Sequence, residues 1–201
     1  MRIDNGELMK GTVIILDGSP SVGKSTISRE IQEIAEDPYF YFSIDDFMKK
    51  LPSRWIEFTD DLNLVNGLGY QLLSDEEGKP MIRFKAGPVG EKLIKGYINA
   101  IKGISDAGNP VIADAIITDP KWLEWLADRF EGYPIFLIGL RAPLSVLENR
   151  EKKRYEPPGM TRGRFDEVYG FEKPYQLEID TSQTSPQKAA EAILRLVKNS
   201  R

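Results

Sequence analysis

The sequence predicts an α/β protein: three layers, with a mainly parallel five-stranded sheet and helices on both faces. Three observations predict it. "TVIILD" (12–17) is a continuous apolar run, as a strand buried on both faces of a parallel sheet requires. A glycine-rich turn and a helical pattern follow it directly. From there to the end of the chain, apolar strand-like runs alternate with helical stretches, which is the signature of βαβ crossovers.

Each element has its own warrant. In "KSTISREIQEIAED" (24–37) Ile27, Ile31 and Ile34 recur at helical spacing. "YFYFSI" (39–44) reads as a second strand, ended by Asp45 and Asp46. Residues 52–88 scatter aromatics, glycines and prolines without a helical period; loops and a short hairpin, "YQLLSDEEGKPMIRF" with its turn at "DEEGK", are expected. "VGEKLIKGYINAIKGISDAG" (89–108) is a long amphipathic helix with Gly108 near its C-terminus. "PVIADAI" is a third strand, "PKWLEWLADRF" a helix, "PIFLIGL" (134–140) a fourth strand and "PLSVLENREKKR" another helix. "QLEID" (176–180) is the fifth strand. "SPQKAAEAILRLVKN" closes the chain as a helix, with Ser185 as N-cap and Pro186 at its first position. No repeat, linker or low-complexity tract interrupts the order. One domain over residues 1–201 is expected, with 52–88 inserted above the C-terminal edge of the sheet, where ligands of such sheets bind.

Composition narrows the chemistry. The 201 residues are enough to bury a core, and 41% hydrophobic with 29% charged is ordinary globular usage. The net charge of −4 argues against nucleic acid as the main partner, because binding a phosphate backbone needs basic surface. There is no cysteine and no histidine, so disulfides, thiolate chemistry and the usual proton shuttle are excluded. A general base must be a carboxylate, lysine or tyrosine. The polar start "MRIDNGELMKGT" and the lack of any membrane-length apolar run point to a cytoplasmic protein with no membrane association.

Gly18-Ser19-Pro20-Ser21-Val22-Gly23-Lys24-Ser25 fits G-x-x-x-x-G-K-[ST], with the required strand before it and helix after it. In such a P-loop, glycines let successive N–H groups turn inward around an anion, and the helix N-terminus adds its positive end. Lys24 reaches the β- and γ-phosphates, the Ser25 hydroxyl ligates Mg²⁺, and Thr26 completes the nucleotide-binding set. Asp114, at the end of "PVIADAI", is the expected carboxylate for the metal or its waters. The predicted ligands are therefore ATP and Mg²⁺. The fold is that of a P-loop NTPase.

The acceptor side is read from two stretches. "SIDDF" puts carboxylates at a strand end near the γ-phosphate, and a kinase needs a group to orient and deprotonate the attacking hydroxyl. Adjacent residues on a strand point to opposite faces, so one of Asp45 and Asp46 faces the site. The alternative is that Asp46 N-caps a short helix "DFMKKL". "ENREKKRYEPPGMTRGRF" carries Arg150, Lys152, Lys153, Arg154, Arg162 and Arg164; it reads as an Arg-rich lid over 150–168, or as a solvated helix end. "IDTSQTSPQ" is a loop able to border an adenine.

The chain resembles the chloramphenicol phosphotransferase family, a branch of P-loop small-molecule kinases related in fold to shikimate and nucleoside monophosphate kinases. The likeness runs through "IILDGSPSVGKS", "SIDDFMKKLP", "GYINAIKGISDAGNPVIADAI", "FLIGLRAPLSVLENREKKR" and "LEIDTS". It implies Asp45 as the base on the acceptor hydroxyl, Arg150 against the adenine, and Arg154, with Arg162 or Arg164, on phosphate. Two departures stand out. Ala115 occupies a position where the family's namesake is acidic, and the 52–88 region is longer and different. The acceptor is thus left open, with Trp55, Phe58, Tyr70 and Phe84 as candidate walls of its pocket. The expected activity is ATP-dependent phosphoryl transfer to the alcohol of a small molecule, with Lys24, Asp45 and Arg154 catalytic. The alternatives are a zeta-toxin-like kinase of a nucleotide sugar and a non-catalytic nucleotide-binding module. A GTPase switch lacks its N-K-x-D segment, since "GLRAPLSV" stands there instead.

Overall fold

Hydrophobic strands of five to seven residues form the centre of the computed structural model, which describes residues 9–153 and 158–200. They are β1 (Val13–Asp17), β6 (Val111–Ala115) and β7 (Ile135–Arg141). With β2 (Phe40–Ser43) and β8 (Leu177–Asp180) they make a five-stranded sheet in the order β2-β6-β1-β7-β8. Every pairing in it is parallel. β1 is buried along its whole length, which is why its sequence is a continuous apolar run.

Alternate β1 residues feed two cores. Ile14 and Leu16 pack with Ile27 and Ile31 of α1 (Lys24–Ile34) and with Ala189, Ile193 and Val197 of α7 (Pro186–Asn199). Val13 and Ile15 pack with Ile94, Ile98 and Ile101 of α3 (Pro88–Asp106), and Trp122 and Leu126 of α4 (Pro120–Arg129) close the same face. The three layers follow from that alternation. Ser185 caps α7 by accepting the Lys188 N–H, with Pro186 at the first position.

Residues 56–86 form a second, smaller sheet from β3 (Ile56–Phe58), β4 (Leu68–Ser74) and β5 (Pro80–Ala86). β4 and β5 are the expected hairpin, turned at Asp75–Lys79. The Asp75 carboxylate accepts from the Glu77 and Lys79 amides, and Gly78 takes the left-handed conformation at φ +76°. β3, pairing parallel with β4, is an addition to the sequence expectation.

Two further helices flank the segment 150–168: α5 (Leu144–Glu151) and α6 (Met160–Tyr169). α6 is not among the elements expected from the sequence, where this stretch reads only as an Arg-rich lid or a solvated helix end. Glu151 is 5% exposed and accepts from the Gly159 and Thr161 amides at 3.0 and 2.7 Å, so the last residue of α5 satisfies the first turn of α6. α6 lies directly on β5: the Ile82 N–H donates to Gly159 O at 2.8 Å, and a Cβ on Gly163 would stand 2.1 Å from Ile82 O. Only glycine permits that approach.

Candidate active site

The C-terminal ends of β1, β2 and β6 meet at the loop 18–25. β1 ends in Asp17, and the loop leads into α1 through Gly23, whose φ of +103° is left-handed and suits glycine. Gly18 is needed for a different reason, since a Cβ there would come within 2.6 Å of Leu140 O on β7. Ser21 is held at φ +63°, and its hydroxyl is buried with no hydrogen-bond partner among the described residues; the Ser19 hydroxyl is in the same state. Lys24 is 8% exposed, and its Nζ donates to Gly18 O at 2.7 Å and to Ser19 O at 3.0 Å. Burial pushes the Lys24 ammonium below its ordinary range, opposed by the charges of Asp114, Asp17 and Asp45. A buried cation beside unpartnered hydroxyls, at the start of an 11-residue helix, is a chemical fit for phosphate.

Asp17 has another role. Its side chain and that of Lys173 are fully buried and meet at 2.7 Å. Tyr175 Oη also donates to Asp17 at 2.6 Å, and the Ile117 N–H donates to its other oxygen at 2.8 Å. Lys173 Nζ further donates to Ile117 O and Val168 O. This network fixes the root of the loop to the segment after β6 and to the end of α6. Nothing in "FEKPYQ" marks Lys173 from sequence.

Asp114 lies at the edge beside it, 5% exposed. Tyr41 Oη donates to one carboxylate oxygen at 2.6 Å, and the Ile44 N–H to the other at 2.9 Å. Burial raises its pKa, with the Lys24 charge and these hydrogen bonds opposing. Each oxygen keeps a lone pair free. No cluster of three or more Asp, Glu, His or Cys suited to a metal occurs among the described residues. A Mg²⁺ ion shared with phosphates needs only one or two protein ligands, and Ser25 with Asp114 fits that sparse set. Tyr41 was not foreseen; the alternation of "YFYFS" along β2 is the signal that puts it on the same side as Ser43.

Asp45 and Asp46 fall in the short helix α2 (Ile44–Met48). Ser43, not Asp46, is its N-cap, accepting the Asp46 N–H at 3.5 Å; Asp46 instead pairs with Lys49 at 3.1 Å. Asp45 is exposed on the cavity rim; its carbonyl accepts the Lys49 N–H at 3.0 Å, while its carboxylate makes no hydrogen bond among the described residues.

One cavity of about 860 Å³ connects these groups. At one end lie Pro20 to Ile27, Arg150, Thr181, Thr184 and Pro186. Arg150 donates to Thr181 Oγ1 at 3.0 Å and Thr181 O at 2.7 Å, tying α5 to the loop after β8. At the other end lie Met48, Ile56, Phe58, Leu68, Tyr70 and Ile82. These come mostly from one face of the small sheet, because Ile56 pairs with Leu68 and Phe58 with Tyr70 across β3 and β4. Of the four aromatics expected to wall this end, Phe58 and Tyr70 do so. Phe84, directly across from Tyr70 on β5, packs against it on the same face with ring centroids 5.4 Å apart. Trp55 stands apart, with Arg54 over its ring.

The arginines of 150–168 separate by environment. Arg162 pairs with Asp75 at 2.7 Å and with Glu148, which ties α6 to the hairpin turn and to α5 and takes it away from the cavity. Arg164 lines the cavity, 4% exposed, its guanidinium 4.4 Å from the Phe84 ring. Arg154 lies outside the described residues.

A parallel sheet ordered 2-6-1-7-8, with G-x-x-x-x-G-K-S between the first strand and helix, defines a P-loop protein of the kinase-like three-layer α/β type. Known proteins agree. Residues 11–198 match the model of the chloramphenicol phosphotransferase-like protein family, and this chain belongs to that family. A Mycobacterium tuberculosis protein provisionally named an O-phosphotransferase is 28% identical over 178 residues, 87% of this chain and 77% of that one. Among solved structures, the M. tuberculosis APS kinase in complex with AMPPNP and APS superposes with a TM-score of 0.63 at 12% identity, covering 94% of this chain and 98% of its own. A Deinococcus radiodurans tunicamycin resistance protein gives 0.60 at 20% identity, covering 94% and 96%. These two likenesses are of fold.

Proposed function

We propose that this protein is an ATP-dependent kinase that transfers the γ-phosphoryl group to an alcohol hydroxyl of a small molecule. The single observation that carries the reading is the continuous cavity, with a phosphate cradle at one end, an apolar and aromatic wall at the other, and Asp45 on its rim. The family membership and the O-phosphotransferase name of the mycobacterial relative support the same reaction class.

In this mechanism the backbone N–H groups of residues 21–26 and the Lys24 ammonium hold the β- and γ-phosphates. Lys24 exchanges its bonds to Gly18 O and Ser19 O for phosphate oxygens. Arg150 and Thr181 border the nucleoside. Ser25 and Asp114 are the residues that would hold Mg²⁺, which would supply charge neutralisation on the phosphates. Asp45 accepts a hydrogen bond from the acceptor hydroxyl and takes its proton as the oxygen bonds to the γ-phosphorus. The bond from that phosphorus to the β–γ bridging oxygen breaks, and the electron pair leaves with ADP. Residues 150–168 act as the lid, with Arg154 on the phosphoryl group. The proposed use of ATP supports a cytoplasmic enzyme; among the described residues no helix is long and apolar enough to cross a membrane.

The test is mass spectrometry of chloramphenicol after incubation with protein, ATP and Mg²⁺. A phosphorylated product with the wild type and none with Asp45→Asn supports reaction, base and acceptor together. Product from Asp45→Asn at the wild-type rate refutes the base. Failure with chloramphenicol and with every other hydroxylated acceptor, despite bound ATP, leaves a non-catalytic nucleotide-binding module.

A further inference from the structure

Arg164 is the side chain that the mechanism above leaves unused. It is 4% exposed and lines the cavity, yet it has no hydrogen bond or ion pair among the described residues. Its Nε is buried without a partner. A buried guanidinium ordinarily meets a carboxylate, because a charge taken out of water loses its hydration and needs a partner to offset that loss. Glu167 is the nearest candidate, one turn along α6, but its Oε2 is also buried without a partner, so the two do not satisfy each other. Arg164 stands on the Phe84 ring at 4.4 Å, beside Tyr70, and Phe84 and Tyr70 belong to the sheet that walls the acceptor end. α6 is fixed on that sheet through the Gly159 carbonyl, the close approach of Gly163 and the Arg162–Asp75 ion pair. The guanidinium is therefore carried by the acceptor wall, in an otherwise apolar face of Ile56, Leu68 and Ile82.

We infer that Arg164 is the acceptor-recognition residue and that the acceptor is an alcohol whose apolar or aromatic body also carries an oxyanion, a carboxylate or a phosphate ester. The inference rests on the kinase reading. A guanidinium offers a planar fork of N–H donors that matches either oxyanion bidentately. The apolar wall covers the body, and Asp45 on the rim meets the hydroxyl. Burial pulls the Arg164 pKa down from its ordinary value, with Glu167, Tyr70, Asp45 and Asp17 opposing.

The test uses the full chain with its nucleotide end saturated by a non-hydrolysable ATP analogue, so that added anions cannot occupy the phosphate cradle. Calorimetry then compares matched probes: phenyllactate with phenyllactamide, and phenyl phosphate with benzyl alcohol. The expected result is tighter binding of at least one anion than of its neutral partner, on the order of tenfold for a charge-assisted contact. Arg164→Met removes the difference and Arg164→Lys retains part of it. Arg164→Met also leaves the melting temperature of the ligand-free protein unchanged or raised, because an apolar side chain of similar volume replaces an unpaired buried charge. A preference for carboxylate over phosphate, or the reverse, names the oxyanion. Equal binding within each pair, no binding of any probe, or a preference that survives Arg164→Met overturns the inference. So does a loss of affinity for the ATP analogue in Arg164→Met, which reassigns the guanidinium to the nucleotide. Failure of the wild type to bind the analogue at all refutes the kinase reading instead.

Discussion

Lys173→Met is the substitution that most sharply tests how the phosphate loop is held. Lys173 and Asp17 are both fully buried and 2.7 Å apart. Methionine fills a similar volume but leaves the Asp17 carboxylate with only the Tyr175 hydroxyl and the Ile117 amide. The Ile117 and Val168 carbonyls lose a donor at the same time. Removing one partner of a buried pair costs about 3–5 kcal/mol. For a domain of this size each kcal/mol moves Tm by about 2–4 °C, so the expected fall is about 6–20 °C. Thermal unfolding followed by circular dichroism reads it. The double variant Lys173→Met/Asp17→Asn recovers part of the loss, because the stranded charge is gone. Nucleotide affinity falls with Lys173→Met as well, since Asp17 directly precedes Gly18 and anchors the loop. A Tm loss under about 2 °C, or a double variant less stable than the single one, refutes the reasoning.

Asp45→Asn keeps nucleotide affinity and lowers the transfer rate by about 10²- to 10⁴-fold, the usual contribution of a general base, read in a coupled ADP-release assay. Asp114 has its pKa raised in the folded protein, so between about pH 4 and that raised value the native state holds more protons than the unfolded one. The stability of the wild type relative to Asp114→Asn therefore falls as pH rises through that window; metal-free denaturation from pH 4 to 7 measures it, and a flat or rising difference contradicts the assignment. Glu151→Ala leaves the Gly159 and Thr161 amides without their acceptor and destabilises the protein by about 2–4 kcal/mol, with faster hydrogen exchange concentrated at the start of α6.

The frame was readable because its signals are local. β1 is apolar throughout since both faces are covered, the loop demands its own residues, and Ser185-Pro186 announces α7. α6 was hidden because its buried face consists of Thr161, Gly163, Arg164 and Val168, so no apolar stripe repeats at helical spacing. β3 was hidden because three residues carry little period, and its partner β4 is ten residues further on. Asp45 was legible as a carboxylate at a strand end. The alternative that put Asp46 at the N-cap fails because Ser43, three residues earlier, makes that cap and leaves Asp46 inside the helix. Sorting Arg162 from Arg164 needed tertiary partners, namely Asp75 and Glu148 for one and Phe84 for the other. The Lys173–Asp17 pair spans 156 residues, and neither partner sits in a motif that names the other.

The most direct measurement follows the terminal phosphate itself. The protein is incubated with γ-labelled ATP, Mg²⁺ and a pool of hydroxylated small molecules, acids and neutral compounds together, and the label is traced to small molecule, inorganic phosphate or protein. The account predicts label on a small molecule with the wild type, and its loss with Asp45→Asn while ATP still binds. Label found only in inorganic phosphate or on the protein, or transfer that survives Asp45→Asn at full rate, contradicts it.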